Sequence, residues 1–451
     1  MKPNTNVHTN TLDAITEDFC LPSAQLKGII GSFVCEMKRG LLGQKSSLKM
    51  IPTYVSRPSG DERGSFIALD LGGTNFRILE LSLKGHGRAA RPRVMKFTVS
   101  KRLMTGKGEA LFDFIADCLA SFLKKTKVSC AKKTELGFTF SFPVRQTGVA
   151  SGRLVCWTKG FSAKGVEGKD VVGCLKDALI RKGLFNIEIA ALANDTVGTL
   201  VACSYADKTC DVGVIIGTGT NACYPEDISK VRRIHGPFPA GREIIINIEW
   251  GNFCKLRRTR YDKMLDRASS NPGEQMLEKM VSGMYLGEIT RLVLADLEKR
   301  GILFSAHNRC LGRKGIFRTE YVSAIAIDKA PRFSITERVL RDIGLRGFRS
   351  CDLQMVYEVC KAVSRRGARI AAAAIMGVIG KSDPRFLKKH KVAIDGSVYE
   401  KHPFFKVCME EAFREILGQR SSRIEMALTK DGSGRGAAII AAVAYKDRNA
   451  E

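Results

Sequence analysis

Apolar residues follow two different periods along the chain, and segments of the two kinds alternate. Residues 65–83 and 210–226 each contain two apolar, partly β-branched runs joined by a turn rich in glycine and threonine, and this pattern predicts two β-hairpins. Amphipathic helices are predicted where apolar positions lie three or four residues apart, at residues 25–41, 111–125 and 171–183. Buried strands are predicted at residues 135–144 and 186–195. The alternation indicates an α/β fold, and the repeated hairpin suggests two lobes related by duplication.

The chain beyond the second hairpin has a mainly helical pattern. Residues 273–301 predict one long helix, because Asn-Pro-Gly precedes the periodic segment and a glycine ends it. Residues 355–380 predict a second long helix. A strand with a turn is predicted at residues 392–401, and an apolar segment at residues 432–446 completes the pattern.

The composition is that of a globular chain with a large core, since 44% of the residues are hydrophobic and 26% are charged. The longest apolar stretches, residues 370–380 and 436–445, are shorter than the ~18 to 20 residues that span a bilayer, so no transmembrane segment is expected. The first residues carry no apolar block typical of a secretory signal. The cysteines are scattered without a Cys-x-x-Cys pair, which favours reduced thiols and a cytoplasmic location, with an organelle reached by an atypical signal as the alternative.

Basic residues outnumber acidic residues by a wide margin. The sequence has 73 Lys and Arg against 46 Asp and Glu, a net charge of +27. Such a surplus attracts polyanions, anionic surfaces or an anionic substrate through fields that salt screens. The basic clusters at residues 124–133 and 388–391 lack the aromatic interleaving and the zinc-ligand spacing of nucleic-acid modules, so no specific nucleic acid is expected. A solvated basic surface without a partner is the alternative interpretation.

The two predicted turns are candidates for holding phosphate. Residues 70–75 are Asp-Leu-Gly-Gly-Thr-Asn, and residues 217–221 are Gly-Thr-Gly-Thr-Asn. Backbone amides and threonine hydroxyls of such turns bind phosphate oxygens, and two facing turns would hold a polyphosphate. The Asp70 carboxylate adds a group that organises the shell of Mg²⁺. A plain hairpin is the alternative for either turn alone, and the sequence contains neither the P-loop motif nor the protein-kinase motifs.

Other polar residues are candidates for contact with a second substrate. Asn194 and Asp195 end a predicted buried strand. Asp195 would there accept the proton of an attacking alcohol. The alternative is that the Asn-Asp pair only caps the helix that follows. Thr158 and Lys159 follow Trp157, which predicts an aromatic platform beside a hydroxyl and an ammonium group, whereas a lone lysine is ordinarily solvated. Further polar residues in apolar settings are Ser141, Glu249 and Glu278.

A series of segments occurs in the order in which they occur in eukaryotic hexokinases. They are LDLGGTNFR, LGFTFSFPV, WTKGF, ALANDTVGTL, IIGTGTNACY, NIEWGNF, SSNPGEQMLEKMVSGMYLGE, AIDGSVYEKHP and DGSGRGAA. On these segments the chain resembles the hexokinase and glucokinase family of single-unit length over residues 15–446. The resemblance implies an α/β, two-lobed, actin-like (ribonuclease-H-like) sugar kinase fold with a hinged active-site cleft. It places a leader and helix that pack on the large lobe at residues 1–60, the small lobe at 61–194, the large lobe at 195–431 and a C-terminal helix that returns to the small lobe at 432–451.

The resemblance also implies an enzyme that transfers the γ-phosphoryl group of MgATP to the 6-hydroxyl of a hexose, glucose above all, for glycolysis. Asp195 would be the general base, and Lys159 would balance charge on the moving phosphoryl group. The hexose would contact Ser141, Thr158, Lys159, Asn194, Asp195, Asn221, Glu249 and Glu278. The nucleotide would contact Asp70, Gly72, Gly73, Thr74, Asn75, Thr218, Gly219, Gly283, Gly396 and Ser397. Asp70 would hold Mg²⁺ through water, and Arg77 would support the phosphate site or the lobe packing.

Three departures from the family pattern are present. Thr220 replaces the usual Cys or Ser, Glu274 stands where Gln is usual, and Asn252 occupies a position that is more often Ala. Glu274 matters most, because an extra carboxylate close to Glu278 would raise a neighbouring pKa or weaken sugar binding. The alternative function is a catalytically silent, sugar-binding regulatory protein of the same fold, which the intact Asp195 disfavours.

Overall fold

The computed structural model describes residues 5–73, 75–127, 133–232, 234, 241–304 and 310–450. Its helices are, in chain order, α1 (Thr5–Phe19), α2 (Ser23–Leu41), α3 (Lys101–Thr105), α4 (Gly108–Thr126), α5 (Val171–Arg181), α6 (Asp195–Ala206), α7 (Arg260–Arg267), α8 (Met276–Val281), α9 (Leu286–Lys299), α10 (Thr319–Ala326), α11 (Ser334–Asp342), α12 (Ser350–Ser382), α13 (Ser397–Lys401), α14 (Phe405–Leu417) and α15 (Gly432–Ala450). Its strands are β1 (Ile51–Pro52), β2 (Arg63–Leu71), β3 (Asn75–Gly85), β4 (Arg88–Ala89), β5 (Arg93–Thr98), β6 (Thr134–Phe140), β7 (Val144–Gly148), β8 (Ser151–Leu154), β9 (Ile187–Ala193), β10 (Cys210–Ile216), β11 (Thr220–Asp227), β12 (Glu243–Asn247), β13 (His390–Asp395) and β14 (Ile424–Leu428).

Each predicted hairpin belongs to a sheet, and the two sheets share one plan. The first sheet has the order β4-β3-β2-β6-β9, with β5 also paired to β3, and the second has the order β1-β12-β11-β10-β13-β14. The antiparallel hairpin β2/β3 continues through the parallel strands β6 and β9. The antiparallel hairpin β10/β11 continues in the same way through β13 and β14. Both predicted hairpins are confirmed, and we call the first sheet with α3–α5 the small lobe and the second sheet with α7–α14 the large lobe.

Two helices form the layer between the sheets. Helix α15 packs against β2, β6 and β9, while α6 packs against β10 and β13. The helices cross at glycines, since a Cβ atom on Gly436 would lie 2.0 Å from the carbonyl oxygen of Gly198. So close an approach of two backbones leaves no room for a side chain. Because α6 begins at Asp195, this crossing holds that residue between the lobes.

The predicted helices are confirmed as α2, α4, α5 and α12, with one exception. The prediction of a single helix over residues 273–301 is wrong, because the segment forms two helices, α8 and α9. At the break, the amides of Gly283 and Met284 donate to the carbonyl oxygens of Gly217 and Thr218 at 2.7 and 3.1 Å. Amides that bond to another segment in this way cannot extend the helical ladder.

The large lobe is built around α12, whose residues 370–376 are all buried. Two arginines interrupt its apolar surface and find partners inside the protein. Arg366 donates from Nη1 and Nη2 to the two carboxylate oxygens of Asp262, at 2.7 Å each, and Arg369 donates to the carbonyl oxygen of Leu21. Among the described helices, none is both long enough and apolar enough to cross a lipid bilayer.

Candidate active site

The first glycine-rich turn lies between β2 and β3 and carries the buried carboxylate of Asp70. Asp70 is 4% exposed, and its Oδ2 accepts hydrogen bonds from Ser433 Oγ at 2.7 Å and from the Arg77 guanidinium. A Cβ atom on Gly72 would lie 3.6 Å from Ser141 Oγ and 4.0 Å from Asp70 Oδ1. Gly72 therefore leaves room beside the side chains of Asp70 and Ser141.

Gly73 and Asn75, two further predicted ligands in this turn, have free space around them. A Cβ atom on Gly73 would meet no atom within 4 Å, and Asn75 is exposed at the start of β3. Thr74, which was predicted to contact phosphate, lies outside the described residues. Open glycine backbone is what lets a phosphate group approach the amides of a turn.

Arg77 links the first turn to the start of α15. Its guanidinium contacts the carboxylates of Asp70 and Asp431 and donates to Ser433 Oγ at 3.2 Å. Burial alone would lower the pKa of Arg77, but the carboxylates of Asp70, Asp431 and Asp395 outweigh it and raise the pKa. The cation thus contacts carboxylates from β2 and from the residue before α15, and the charge of Asp395 at the end of β13 also acts on it.

The second glycine-rich turn is assembled from backbone contacts among distant segments. Gly217 N donates to Gly219 O at 2.9 Å and closes the turn between β10 and β11. A Cβ atom on Gly396 would lie 2.4 Å from the carbonyl carbon of Ile216, and one on Gly283 would lie 2.9 Å from Gly217 O. The φ angle of Gly396 is 123°, a region that side-chain-bearing residues rarely adopt. The structure therefore brings together the predicted nucleotide-binding glycines of three segments.

Two further predicted nucleotide ligands lie at this junction. Thr218 accepts a backbone hydrogen bond from Met284, and Ser397 N lies 3.5 Å from the position of a Cβ atom on Gly217. Asp395 ends β13, two residues before Ser397. Burial raises the pKa of Asp395, although hydrogen bonds from backbone amides and the charge of Arg77 oppose the rise.

The Asn194-Asp195 pair lies where β9 ends and α6 begins. Asn194 caps the helix, since its Oδ1 accepts a hydrogen bond from Thr196 N at 2.8 Å. Asp195 Oδ1 accepts from the same amide at 2.8 Å and from Thr196 Oγ1 at 3.2 Å. Asp195 is half-buried, and no donor from the described part of the chain bonds to its Oδ2. The cap interpretation is confirmed for Asn194, while Asp195 keeps one oxygen for another partner.

Three polar side chains of the large lobe form a closed triangle. Asn221 Nδ2 donates to Asn247 Oδ1 at 2.8 Å and to Glu249 Oε1 at 3.2 Å, and Asn247 Nδ2 donates to the same Glu249 oxygen at 2.9 Å. Asn247 was not among the predicted site residues. Its place in the site follows from the strand register, which sets Asn247 opposite Cys223, two residues beyond Asn221. The two amides fix the Glu249 carboxylate through one of its oxygens.

Glu278 lies beside the second turn and close to this triangle. Its Oε2 accepts a hydrogen bond from Thr220 N at 3.0 Å. Burial raises the pKa of Glu278 and the Glu249 carboxylate adds to the rise, while the bond from Thr220 and the charge of Lys159 oppose it. Glu278 therefore senses charges from both lobes.

Thr220 and Glu274, two of the departures from the family pattern, have different surroundings. Thr220 Oγ1 accepts a hydrogen bond from the indole nitrogen of the buried Trp250 at 3.0 Å, so this hydroxyl serves the packing. Glu274 is exposed. The like charge that raises the pKa of Glu278 comes from Glu249.

Lys159 and Ser141 approach the pocket from the small lobe. Lys159 Nζ donates to the carbonyl oxygen of Ser141 at 2.7 Å and lies 5.7 Å from the ring centroid of Phe142. Ser141 is buried, and its amide donates to the last residue of β2 at 3.1 Å. Thr158 is exposed beside Lys159. Lys159 is itself exposed, and the backbone carbonyl of Ser141 orients its ammonium group.

Trp157 anchors this loop from its inner side. Its indole nitrogen donates to Ala163 O at 2.8 Å. Its ring meets Phe142 edge to face with centroids 4.9 Å apart, and it stacks on Phe161 at 5.4 Å. These contacts hold Trp157 in an aromatic cluster that supports the segment carrying Lys159, and its role beside a ligand stays a prediction.

Two models of one family match nearly the whole chain. Both are described as hexokinase, and they match residues 11–205 and 211–443. The chain belongs to the hexokinase family. The junction between the two matches lies between α6 and β10, so Asp195 belongs to the first and Asn221 to the second. The cleft of this hexokinase is built from both.

Named relatives support the assignment over the full length. This hexokinase is 42% identical to Hexokinase-7 of Oryza sativa subsp. japonica, over 95% of this chain and 96% of the relative. It is 40% identical to Hexokinase-3 of Rattus norvegicus, over 97% of this chain but 48% of the relative, so the chain spans about half the length of that protein. A solved structure described as hexokinase from Schistosoma mansoni complexed with glucose matches with a TM-score of 0.86 and 38% identity, covering 97% of this chain and 99% of that chain. The predicted two-lobed, actin-like sugar kinase fold is confirmed, and the chain is an enzyme of the hexokinase class.

Proposed function

We propose that this hexokinase transfers the γ-phosphoryl group of MgATP to the 6-hydroxyl of a hexose, glucose above all, giving hexose 6-phosphate and ADP for glycolysis. The observation that carries the proposal is the Asp195 carboxylate at the start of α6. Thr196 holds its Oδ1, which leaves Oδ2 for a substrate hydroxyl. As general base, Asp195 would take the proton of the attacking hydroxyl, a role worth ~10²–10⁴-fold in rate.

The sugar would lie between Asp195 and the polar triangle. Asn221 and Glu249 are pre-organised by their hydrogen bonds to each other, and Glu278 is held by Thr220 N. Ionised carboxylates accept hydrogen bonds from hydroxyl groups, so these side chains suit a ring of sugar hydroxyls. The relative from Schistosoma mansoni is described as complexed with glucose, which supports glucose as the substrate to test first.

The phosphate groups would lie between the two glycine-rich turns, with Lys159 facing the group that is transferred. Asp70 fits a role beside Mg²⁺, because Ser433 holds its Oδ2 while its Oδ1 accepts no hydrogen bond from the described residues. The ion would neutralise charge on the phosphate oxygens. Asp70 would reach it through water, and Arg77 would keep the carboxylate in place.

The test is a mass-resolved assay of the purified protein with MgATP and a panel of hexoses, run beside Asp195→Asn. The amide oxygen of the variant still accepts from Thr196 N, so the fold is kept while the base is removed. We expect turnover to fall by ~10²-fold or more with unchanged stability. Asp177→Asn, an exposed carboxylate on α5, is the matched control. Near-normal turnover of Asp195→Asn would remove that residue from the mechanism, and a parent that binds glucose without forming ADP would establish the silent regulatory protein instead.

We further propose that the small lobe binds a phosphate-rich anionic surface. Between Glu80 and Glu109 the sequence has no acidic residue. It has eight basic residues there, all exposed: Lys84, Arg88, Arg91, Arg93, Lys96, Lys101, Arg102 and Lys107. Within the described structure only Arg93 of these forms an ion pair, with Glu80 at 3.3 Å. We call these eight residues the basic rim of the small lobe. Exposed charges of one sign, mostly without an ion pair, attract an anionic partner.

Charge reversal on this rim tests the second proposal. The triple variant Arg88→Glu, Arg91→Glu, Lys96→Glu should elute from heparin, and separate from vesicles with anionic lipid, at lower salt than the parent. A control triple, Lys401→Glu, Lys406→Glu, Arg414→Glu, changes the net charge equally on the large lobe. If the two triple variants lower the salt concentration of elution equally, only the net charge matters, and the proposal of a specific binding site on the basic rim would be overturned.

A further inference from the structure

Three side chains of metal-binding types meet where the N-terminal helix packs on the longest helix. His8 comes from α1, and Cys351 and Asp352 come from the first turn of α12. One ligand atom of each lies within 4.8 Å of those of the other two. We propose that His8, Cys351 and Asp352 form a Zn²⁺ site that fastens α1 to α12, and none of the three is among the predicted active-site residues.

The imidazole of His8 supplies an independent indication of a ligand. Its Nδ1 atom is shielded from solvent and has no hydrogen-bond partner among the described residues. A buried polar atom without a partner is unfavourable, so such atoms in folded proteins ordinarily bind a group. Neutral imidazole nitrogen is among the commonest ligands of Zn²⁺. We therefore assign Nδ1 as the ligand atom of His8, because a bound metal ion would give this atom a partner.

Asp352 has the surroundings of a metal-ligating carboxylate. It is fully buried, its Oδ2 accepts from Arg349 N at 2.8 Å, and its Oδ1 accepts from Arg349 Nη2 at 3.0 Å. Carboxylates that bind metals are themselves held by outer hydrogen bonds of this kind. Because each carboxylate oxygen has two acceptor positions, Oδ1 keeps one for the ion. Arg349 would be the outer partner that orients the ligand.

The ligand set selects the metal. One thiolate, one imidazole nitrogen and one carboxylate oxygen suit Zn²⁺, whereas Mg²⁺ and Ca²⁺ prefer oxygen ligands alone. In a tetrahedral site with bonds of ~2.0–2.3 Å, ligand atoms lie ~3.3–3.7 Å apart, so spacings of up to 4.8 Å contract by at most ~1.5 Å on binding. Cys351 would release its thiol proton to solvent on binding. The thiolate and the Asp352 carboxylate then match the two charges of the ion, and water completes the fourth position.

The site would reinforce the part of α1 that the core does not hold. Near the end of α1, Ile15 and Phe19 are buried, and the Phe19 ring lies 4.4 Å from the guanidinium carbon of Arg366. His8 lies about two turns nearer the amino end. A ligand that binds only the folded state stabilises it by an amount that grows with the logarithm of the ligand concentration relative to Kd. Zn²⁺ should therefore slow the opening of the first half of α1 more than the unfolding of the lobes.

Cobalt substitution in the full-length protein tests the proposal. Metal-free protein is titrated with Co²⁺, which reports a thiolate ligand by a charge-transfer band and a tetrahedral site by intense visible bands. We expect one Co²⁺ per chain with both signals, displacement by one Zn²⁺, and loss of the charge-transfer band in Cys351→Ser. His8→Gln should weaken Zn²⁺ binding by ~10-fold or more. Cys20→Ser, an exposed cysteine just beyond α1, is the control and should bind like the parent.

Hydrogen exchange provides the second readout. Zn²⁺ should slow amide exchange in the first half of α1 in the parent and in Cys20→Ser, but not in Cys351→Ser. A charge-transfer band that persists in Cys351→Ser would place the thiolate ligand at another cysteine and overturn the assignment. So would a parent that binds neither ion, or that binds Zn²⁺ with no change in exchange at α1.

Discussion

A methyl group on Gly396 would test whether the backbone contact between β13 and the second glycine-rich turn positions the nucleotide. Its Cβ atom would lie 2.4 Å from the carbonyl carbon of Ile216 and 2.6 Å from Gly217 N. Non-bonded carbon atoms prefer ~3.5–4.0 Å, so the two segments must separate by roughly 1 Å. The φ angle of 123° adds backbone strain to the clash.

The expected cost follows from these two terms. Strain in a region that side chains rarely adopt costs ~1–3 kcal/mol, and overpacking against backbone costs ~1–3 kcal/mol. Gly396→Ala should therefore lower the free energy of unfolding by ~2–6 kcal/mol. Because Gly217 begins the turn, its displacement should raise the KM for MgATP while the KM for hexose changes little. Urea unfolding and initial rates at varied MgATP measure the two effects.

Gly28→Ala is the matched control. A Cβ atom on Gly28, inside α2, would meet nothing within 4 Å, and the same substitution there should stabilise the protein by ~0.5–1 kcal/mol. The two variants thus have opposite expected signs for one chemical change. A Gly396→Ala variant as stable as the parent, with an unchanged KM for MgATP, would refute the positional role of this contact.

Three further predictions test the surroundings. His390 lies buried between Asp211 and Asp383, and these carboxylates outweigh burial and raise its pKa. The parent should therefore be more stable than His390→Gln below pH ~6.5, and the difference should be lost as the pH rises through the raised pKa. A stability difference that does not depend on pH in urea unfolding would contradict this. Asp262→Asn should cost ~3–5 kcal/mol in unfolding free energy, because it leaves the buried guanidinium of Arg366 uncompensated, whereas Asp113→Asn at an exposed pair should cost under ~1 kcal/mol. Glu278→Gln keeps an acceptor for Thr220 N but removes the charge, so the KM for hexose should rise ~10-fold with no change for MgATP, and equal rises in both would argue against a sugar ligand.

The features that the sequence predicts well are those with local causes. Both hairpins follow from alternating apolar runs and a glycine-rich turn, which act within a few residues. The break between α8 and α9 was not predictable in this way. It exists because the amides of Gly283 and Met284 bond to Gly217 and Thr218, residues far away along the chain. Helical periodicity carries no information about such a partner.

The site shows the same division between local and distant causes. Asn194 and Asp195 were identified because a polar pair after an apolar strand is a local pattern. Asn247 was missed because its role depends on the pairing of β11 with β12, which places it against Asn221 and Glu249. The packing of Trp157 against Phe161 was not predictable from local patterns, because it depends on how the loop folds back on itself.

The two sheets repeat one plan, yet the two turns differ in what surrounds them. Each turn joins the antiparallel strands of a hairpin that continues into parallel strands. The first turn meets Ser433 and Arg77, which hold the Asp70 carboxylate, while the second meets Glu278, which accepts from Thr220 N. Under the proposed function, the first turn would hold the cation and phosphate, and the second would border the sugar. The difference between the two turns therefore comes partly from helices that the repeated hairpins do not share, since Ser433 lies on α15 and Glu278 lies on α8.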